Sequence, residues 1–276
     1  MSIVSVIESL TGRDRVGKAG VFMVGVALLV SACVTPAPPP APDVATVTVG
    51  AGNGFGGGTI YYPQGATGRL PVVAASPGFT ENQNAVGWYG PLLAREGNIV
   101  ITIDTNSPFD SPTSRADQLL AAIDYVVNRS SVASIADGSR TAVMGHSMGG
   151  GGSLEAALKR PGLKAIIPLA PWNTTTNFSG VRVPTLIVGC QNDAIAPVGS
   201  HAEPFYQSIP ATTPKAYLEI AGGDHFCTNS ENPTIANYVV AWTDRFLQGD
   251  TSASSRLCPP PPAGGSISEY RANCPY

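Results

Sequence analysis

Residues 141–158 read TAVMGHSMGGGGSLEAAL. A β-rich run enters Gly145-His146-Ser147-Met148-Gly149 and a helix-type run leaves it. Small residues at Gly145 and Gly149 permit a sharp strand-to-helix turn. Such a turn lifts the Ser147 hydroxyl above the end of a sheet and sets it at a helix N-terminus, where negative charge is favoured. A GxSxG string alone recurs by chance, but the flanking strand and helix distinguish this one from a structural Gly-rich turn. The segment therefore points to an α/β sheet and to a serine nucleophile together.

Working outward, β-type runs at 46–49, 59–62, 70–75, 99–104, 165–169, 185–190 and 216–220 join the one at 141–145, with helical patterns between most of them. The clearest helix is expected over 114–127, where Leu119, Leu120, Ile123, Val126 and Val127 recur at helical spacing behind a Ser114 or Thr113 cap. A last helix is expected over 234–247, with Tyr238, Val239, Trp242 and Phe246 on one core-facing stripe. Strands alternating with helices after an antiparallel start indicate an α/β fold with a mostly parallel central sheet flanked by helices. Gly52-x-Gly54-x-x-Gly57 formally matches a dinucleotide fingerprint. A strand-like TIYY follows it where a helix should open, so it reads as a turn between two early strands. The chain carries no Walker loop, no HExxH and no zinc-spaced Cys/His cluster, so no cofactor and no metal are expected.

A serine hydroxyl needs a base, and only three histidines are present to supply one. His146 lies inside the turn beside Ser147 and faces elsewhere. His201 falls in a helical stretch after Pro197, only eight residues past the best acid. His225, in the Gly-rich loop AGGDHFCTN after the 216–220 strand, is the base expected from the chain order Ser, acid, His. Asp193, just beyond the strand ending at Cys190, is the expected acid. Its competitor Asp224 adjoins His225, and neighbouring side chains on an extended loop point apart. The oxyanion needs two N–H donors: Met148 after the nucleophile, and Phe79 in the Ser76-Pro77-Gly78-Phe79-Thr80 turn after the 70–75 strand.

The chain of 276 residues is 43% hydrophobic and 13% charged, too apolar for disorder and long enough for one large domain. A net charge of −3 without a basic patch argues against a nucleic-acid partner. Arg13, Arg15 and Lys18, an apolar run over 21–30, then Ser31, Ala32 and Cys33 form an export signal over 1–32. Val30-Ser31-Ala32-Cys33 fits two outcomes: lipidation of Cys33 with attachment to the outer membrane, or cleavage after Ala32 and release of a secreted protein. Residues 33–43 are a Pro-rich tether and 44–276 the expected catalytic domain. Beyond Cys33, four cysteines allow three pairings; proximity favours Cys258 with Cys274. Cys190 with Cys227 then remains, and that pair would tie the acid loop to the base loop.

The segments SPGFT (76–80), ITIDTNS (101–107), MGHSMGGGGSL (144–154), APW (170–172), VPTLIVG (183–189), NDAIAPV (192–198) and the terminal Cys258 to Cys274 stretch resemble the bacterial cutinase and poly(ethylene terephthalate) (PET) hydrolase family. The resemblance implies a lid-free α/β-hydrolase fold and a polyester-hydrolysing serine esterase. It assigns Ser147, Asp193 and His225 as triad, and Phe79 and Met148 as oxyanion-hole amides. It also makes Trp172 the aromatic wall for an aromatic acyl ring, with Ile195 opposite. The Cys190 and Cys227 pair looks like the subgroup with an extra active-site disulfide. Behind the tryptophan, where one member of that subgroup has Ser and Ile, this chain has His201 and Phe205, as ordinary cutinases do, and His146 stands where that member has a Trp in the turn. The replacements imply a Trp172 held in one rotamer, and favour aliphatic polyesters and short-chain esters over PET. Two rivals are a lipase or carboxylesterase without polymer activity, and a lipid-anchored binding protein on a dead hydrolase scaffold. The second predicts a damaged triad.

Overall fold

A computed structural model describes residues 42–276. The expected export signal, Cys33 and nearly all of the expected tether lie outside the described residues. A hairpin opens the fold: β1 (Val44–Val49) pairs antiparallel with β2 (Gly58–Pro63). The Gly-rich segment between them is the expected turn. Six parallel strands follow, β3 (Leu70–Ser76), β4 (Ile99–Ile103), β5 (Ala136–His146), β6 (Ala165–Leu169), β7 (Thr185–Cys190) and β8 (Lys215–Ile220). The antiparallel β9 (Ile267–Ala272) closes one edge, and the sheet order is β1-β2-β4-β3-β5-β6-β7-β8-β9. The mostly parallel sheet matches the expected fold class. Among the described residues no helix is long and apolar enough to cross a membrane.

The central strands bury both faces, and their period of two sorts the side chains into two cores. Val72, Ala74, Ile101, Val143, Ile166 and Ile187 face α2 (Pro112–Asn128), α3 (Met148–Lys159) and α4 (Ala202–Ser208). Val73, Ala75, Val100, Met144, Ile167 and Val188 face α1 (Tyr89–Arg95) and α5 (Pro233–Thr243). Every loop that follows a parallel strand's C-terminal end therefore gathers at one rim of the sheet, the rim where Ser147 stands.

Three details differ from the sequence reading. Helix α2 begins two residues earlier than expected, because Pro112 needs no N–H donor at the first helical position. Ser111, in extended conformation, caps it by accepting the Ser114 N–H at 3.3 Å. Helix α5 stops at Thr243 and passes into a π-helical turn (Asp244–Gln248) that Gly249 ends at φ +84°. The aromatic stripe is core as expected, with Trp242 4.4 Å from Phe246 and 5.3 Å from Tyr276. Strand β9 was not foreseen: its ISEYRA follows a Pro- and Gly-rich run without a preceding helical pattern, and pairing with β8 makes it a strand.

Cys258 and Cys274 are bonded, with Cα atoms 5.9 Å apart, and staple the segment that carries β9. The chain-entropy model values a loop of this size at about 3 kcal/mol. Replacing both cysteines by serine should lower Tm by roughly 6–12 °C in a calorimetric scan and raise amide exchange in β9 before β3 or β5.

Candidate active site

At the end of β5 the chain turns into α3 through Ser147, whose φ of +53° and ψ of −116° are strained for a residue with a side chain. Packing enforces the turn. A Cβ at Gly149 would sit 2.3 Å from the Ser76 carbonyl oxygen, and one at Gly145 2.6 Å from the Gly149 backbone. Both glycines are therefore required by close approach of the turn to itself and to the end of β3. The Ser147 N–H donates to Leu169 O at 2.9 Å, while the Ser147 carbonyl accepts from Gly151 and Trp172.

The structure brings together the three residues expected to act. Ser147 Oγ lies 2.9 Å from His225 Nε2, and His225 Nδ1 lies 2.7 Å from Asp193 Oδ2. With Nδ1–H donating to the carboxylate, Nε2 is left as an acceptor for the serine hydroxyl. Asp193 Oδ1 accepts the N–H groups of Ile195 (2.9 Å) and Ala196 (2.7 Å). Burial alone pushes the Asp193 carboxyl up. The hydrogen bond and charge of His225, with the two amides, outweigh that and hold it below its ordinary range. Asp224 is exposed and turns to the Phe226 N–H instead.

The acid and base loops are linked covalently and by backbone bonds. Cys190 and Cys227 form a disulfide with Cα atoms 6.2 Å apart, and the Asn192 N–H donates to Gly223 O at 2.7 Å. From the other side, Trp88 Nε1 and Tyr89 Oη both donate to Thr228 O, at 2.9 and 3.0 Å. The loop bearing His225 is thus held at both flanks.

Phe79, Ile195, Ser147, His146 and His225 line a cleft of about 220 Å³, together with Thr80, Glu81 and Phe226. The N–H groups of Phe79 and Met148 donate to no acceptor among the described residues, which leaves them available to a ligand. Trp172 is not among the residues that line this cleft. Its ring stacks on His201 at 6.1 Å and 26°, and His201 meets Phe205 edge-on at 5.9 Å. Burial pushes the His201 imidazole below its usual range, against the opposing pull of Pro197 and Asp193.

Several site residues escaped the sequence reading. Phe226 is half exposed at the cleft, and Phe109 sits 5.6 Å from Phe79, extending the same apolar surface. Arg115 is fully buried and donates to the carbonyls of Asp110, Pro77 and Phe79's neighbouring loop residue Pro108, at 2.9, 3.0 and 3.0 Å. A charged residue four positions before Leu119, on the apolar stripe of α2, was the available signal for it. Glu81 and Asn229 carried none, because their partners lie on segments 65 and 148 residues away. Away from the cleft, Glu203, Glu219 and Glu269 offer carboxylate oxygens within 4.8 Å of one another. Arg271 pairs with two of them and Tyr217 with the third, so the group is accounted for without an ion.

The whole chain from residue 11 to 275 matches the PET hydrolase-like family. A bis(hydroxyethyl) terephthalate hydrolase of Streptomyces coelicolor is 53% identical over 224 residues, covering 81% of this chain and 72% of that protein. Cutinase 2 of Thermobifida cellulosilytica is 54% identical over 228 residues, covering 81% and 87%. Cutinase cut1 of Thermobifida fusca is also 54% identical over 228 residues, covering 81% and 71%. With its mostly parallel sheet, its flanking helices and a match over nearly its full length, this chain belongs to the PET hydrolase-like family and is a carboxylic-ester hydrolase of α/β-hydrolase fold.

Proposed function

We propose that the protein is an exported serine esterase that cleaves apolar polyesters through an acyl-enzyme on Ser147. The carrying observation is the relay of 2.9 and 2.7 Å from Ser147 through His225 to Asp193 at an uncovered apolar cleft. His225 takes the Ser147 proton as Oγ attacks the ester carbonyl, and Asp193 steadies the imidazolium that forms. The amides of Phe79 and Met148 receive the developing oxyanion. His225 returns the proton to the leaving alcohol, then activates a water that frees the acid and restores Ser147.

A polymeric substrate is favoured by where the apolar surface lies. Of the five large hydrophobic residues exposed among the described residues, Phe79, Ile195 and Phe226 line the cleft and Phe109 adjoins it. Such a concentration marks a contact surface and suits an extended apolar chain better than a small ester alone. Trp172, whose backbone N–H donates to the Ser147 carbonyl and whose ring stacks on His201, is the candidate aromatic wall, set outside the lining of the cleft itself. Export over residues 1–32, a tether over 33–43 that ends either lipidated at Cys33 or free, and a monomeric catalytic domain over 44–276 complete the reading. The S. coelicolor relative's name points to a small aromatic diester as a further substrate.

Product release from an aliphatic polyester film, a PET film and a soluble short-chain ester tests the proposal directly. Ser147→Ala should lose activity on all three by about 10⁴-fold or more, and Asp193→Asn by about 10³ to 10⁴-fold. Activity on the soluble ester alone would assign an ordinary carboxylesterase. Phe109→Ser should lower the ratio of film to soluble-ester hydrolysis. Asp193 titrates lower folded than unfolded, so the stability it contributes is present above pH ~4 and lost as pH falls through its depressed value. Below pH ~4 the Tm of Asp193→Asn should therefore fall less steeply than that of the wild type.

A further inference from the structure

A second carboxylate–imidazole pair lies beside the first. His146, 1% exposed, has its ring centroid 4.8 Å from that of His225. Its Nε2 is 2.9 Å from the His225 carbonyl oxygen, which can only accept, so Nε2 carries a proton. Its Nδ1 is 2.7 Å from Glu81 Oε2. A bare nitrogen lone pair facing a carboxylate would be repelled, so a further proton lies on that line and is shared by the pair. Glu81 Oε2 also accepts the Gly78 N–H at 2.6 Å, and Oε1 accepts from Asn229 Nδ2 at 2.7 Å. Burial pushes the Glu81 carboxyl up, but the hydrogen bond and charge of His146, with the Gly78 and Asn229 donors, bring it below its ordinary range.

The four contacts converge on three segments that must keep register during the reaction. Gly78 belongs to the loop that carries the Phe79 amide, His146 ends the strand that carries Ser147, and Asn229 follows His225 on the base loop. On the far side of Phe79 the Thr80 N–H donates to Pro108 O at 2.9 Å, so the backbone is clamped on both sides of that amide. An oxyanion donor acts only within about 2.7–3.1 Å of the oxygen it serves, and a misplacement near 1 Å costs on the order of 10² in rate.

We propose that Glu81, through His146 and Asn229, is a positioning residue for ester hydrolysis: it sets the Phe79 amide against Ser147 and ties both to the base loop. The proposal rests on the assignment of Ser147, His225 and the Phe79 amide made above. Glu81 does not touch the substrate's reacting atoms, and its effect falls on the transition state rather than on ground-state binding. A glutamine cannot replace it, since an amide accepts on one oxygen only. With its oxygen in place of Oε2 it forfeits the Asn229 bond, and with its oxygen in place of Oε1 it forfeits the Gly78 bond.

The test uses steady-state hydrolysis of a soluble short-chain ester by Glu81→Gln, Glu81→Ala, His146→Phe and the Glu81→Ala/His146→Phe double variant, with Ser147→Ala alongside, each below its own melting transition. Glu81→Gln should lower kcat about tenfold and Glu81→Ala by up to about 10²-fold, with KM within about twofold of wild type. The Ki of an alkyl boronic acid, whose adduct on serine is tetrahedral and anionic, should rise by the same factor as kcat falls. The double variant should be no worse than the poorer single one, as for residues that act as a unit. A merely structural Glu81 would lower Tm without coupling kcat to the boronate Ki. Wild-type kcat in both Glu81 variants, or a raised KM at unchanged kcat, overturns the proposal while an inactive Ser147→Ala leaves the triad standing. An active Ser147→Ala overturns the triad and with it the proposal.

Discussion

Everything at the functional rim depends on one steric constraint, the near contact of the Ser147 turn with the end of β3. With 2.3 Å between a hypothetical Gly149 Cβ and the Ser76 carbonyl, no side chain fits, and the turn is pressed into its strained geometry. The cost of the positive φ at Ser147, of order 1–3 kcal/mol, is met by two cores that grip the parallel strands from both faces. The strain cannot relax without pulling β5 from β3, and every residue of that register except the partly buried Leu70 is buried. The serine is held up at the sheet rim by the bulk of the domain.

Around that point the protein buries charge and pairs it. Asp193 meets His225, Glu81 meets His146, and Arg115 spends its donors on loop carbonyls while feeling the charges of Asp110 and Glu81. Leaving one partner of such a set unpaired costs several kcal/mol, so the members fix each other's rotamers and with them the loops they sit on. The disulfide between Cys190 and Cys227 performs the same task covalently for the acid and base loops.

The features legible in the sequence were those with local signatures. Eight strands, the Ser147 turn and the meeting of Ser147, Asp193 and His225 followed from period-two runs, paired glycines and the scarcity of histidine. Both cysteine pairings are present, as proximity along the chain and the link between the acid and base loops favoured. What stayed hidden was set by distant partners. Strand β9 exists because β8 offers an edge, the cap of α2 moved to Ser111 because Pro112 alters what the first turn requires, and Glu81 acquires meaning only once folding sets it against His146 and Asn229. A lone glutamate in a loop reads as solvated surface until its three donors are seen.

The cleft opens to solvent, with Phe79, Ile195 and Phe226 exposed along it. An enzyme so built offers its site as an open surface rather than as an enclosed chamber that a substrate must thread. Its working cycle becomes a matter of contact mechanics: the rigid rim meets a solid, and the flexing needed to bring an ester bond to Ser147 must come from the polymer. Turnover on a film should then follow the mobility of chains at the film's own surface, rising where they soften and stalling where they crystallise, while turnover on a dissolved ester follows only the chemistry.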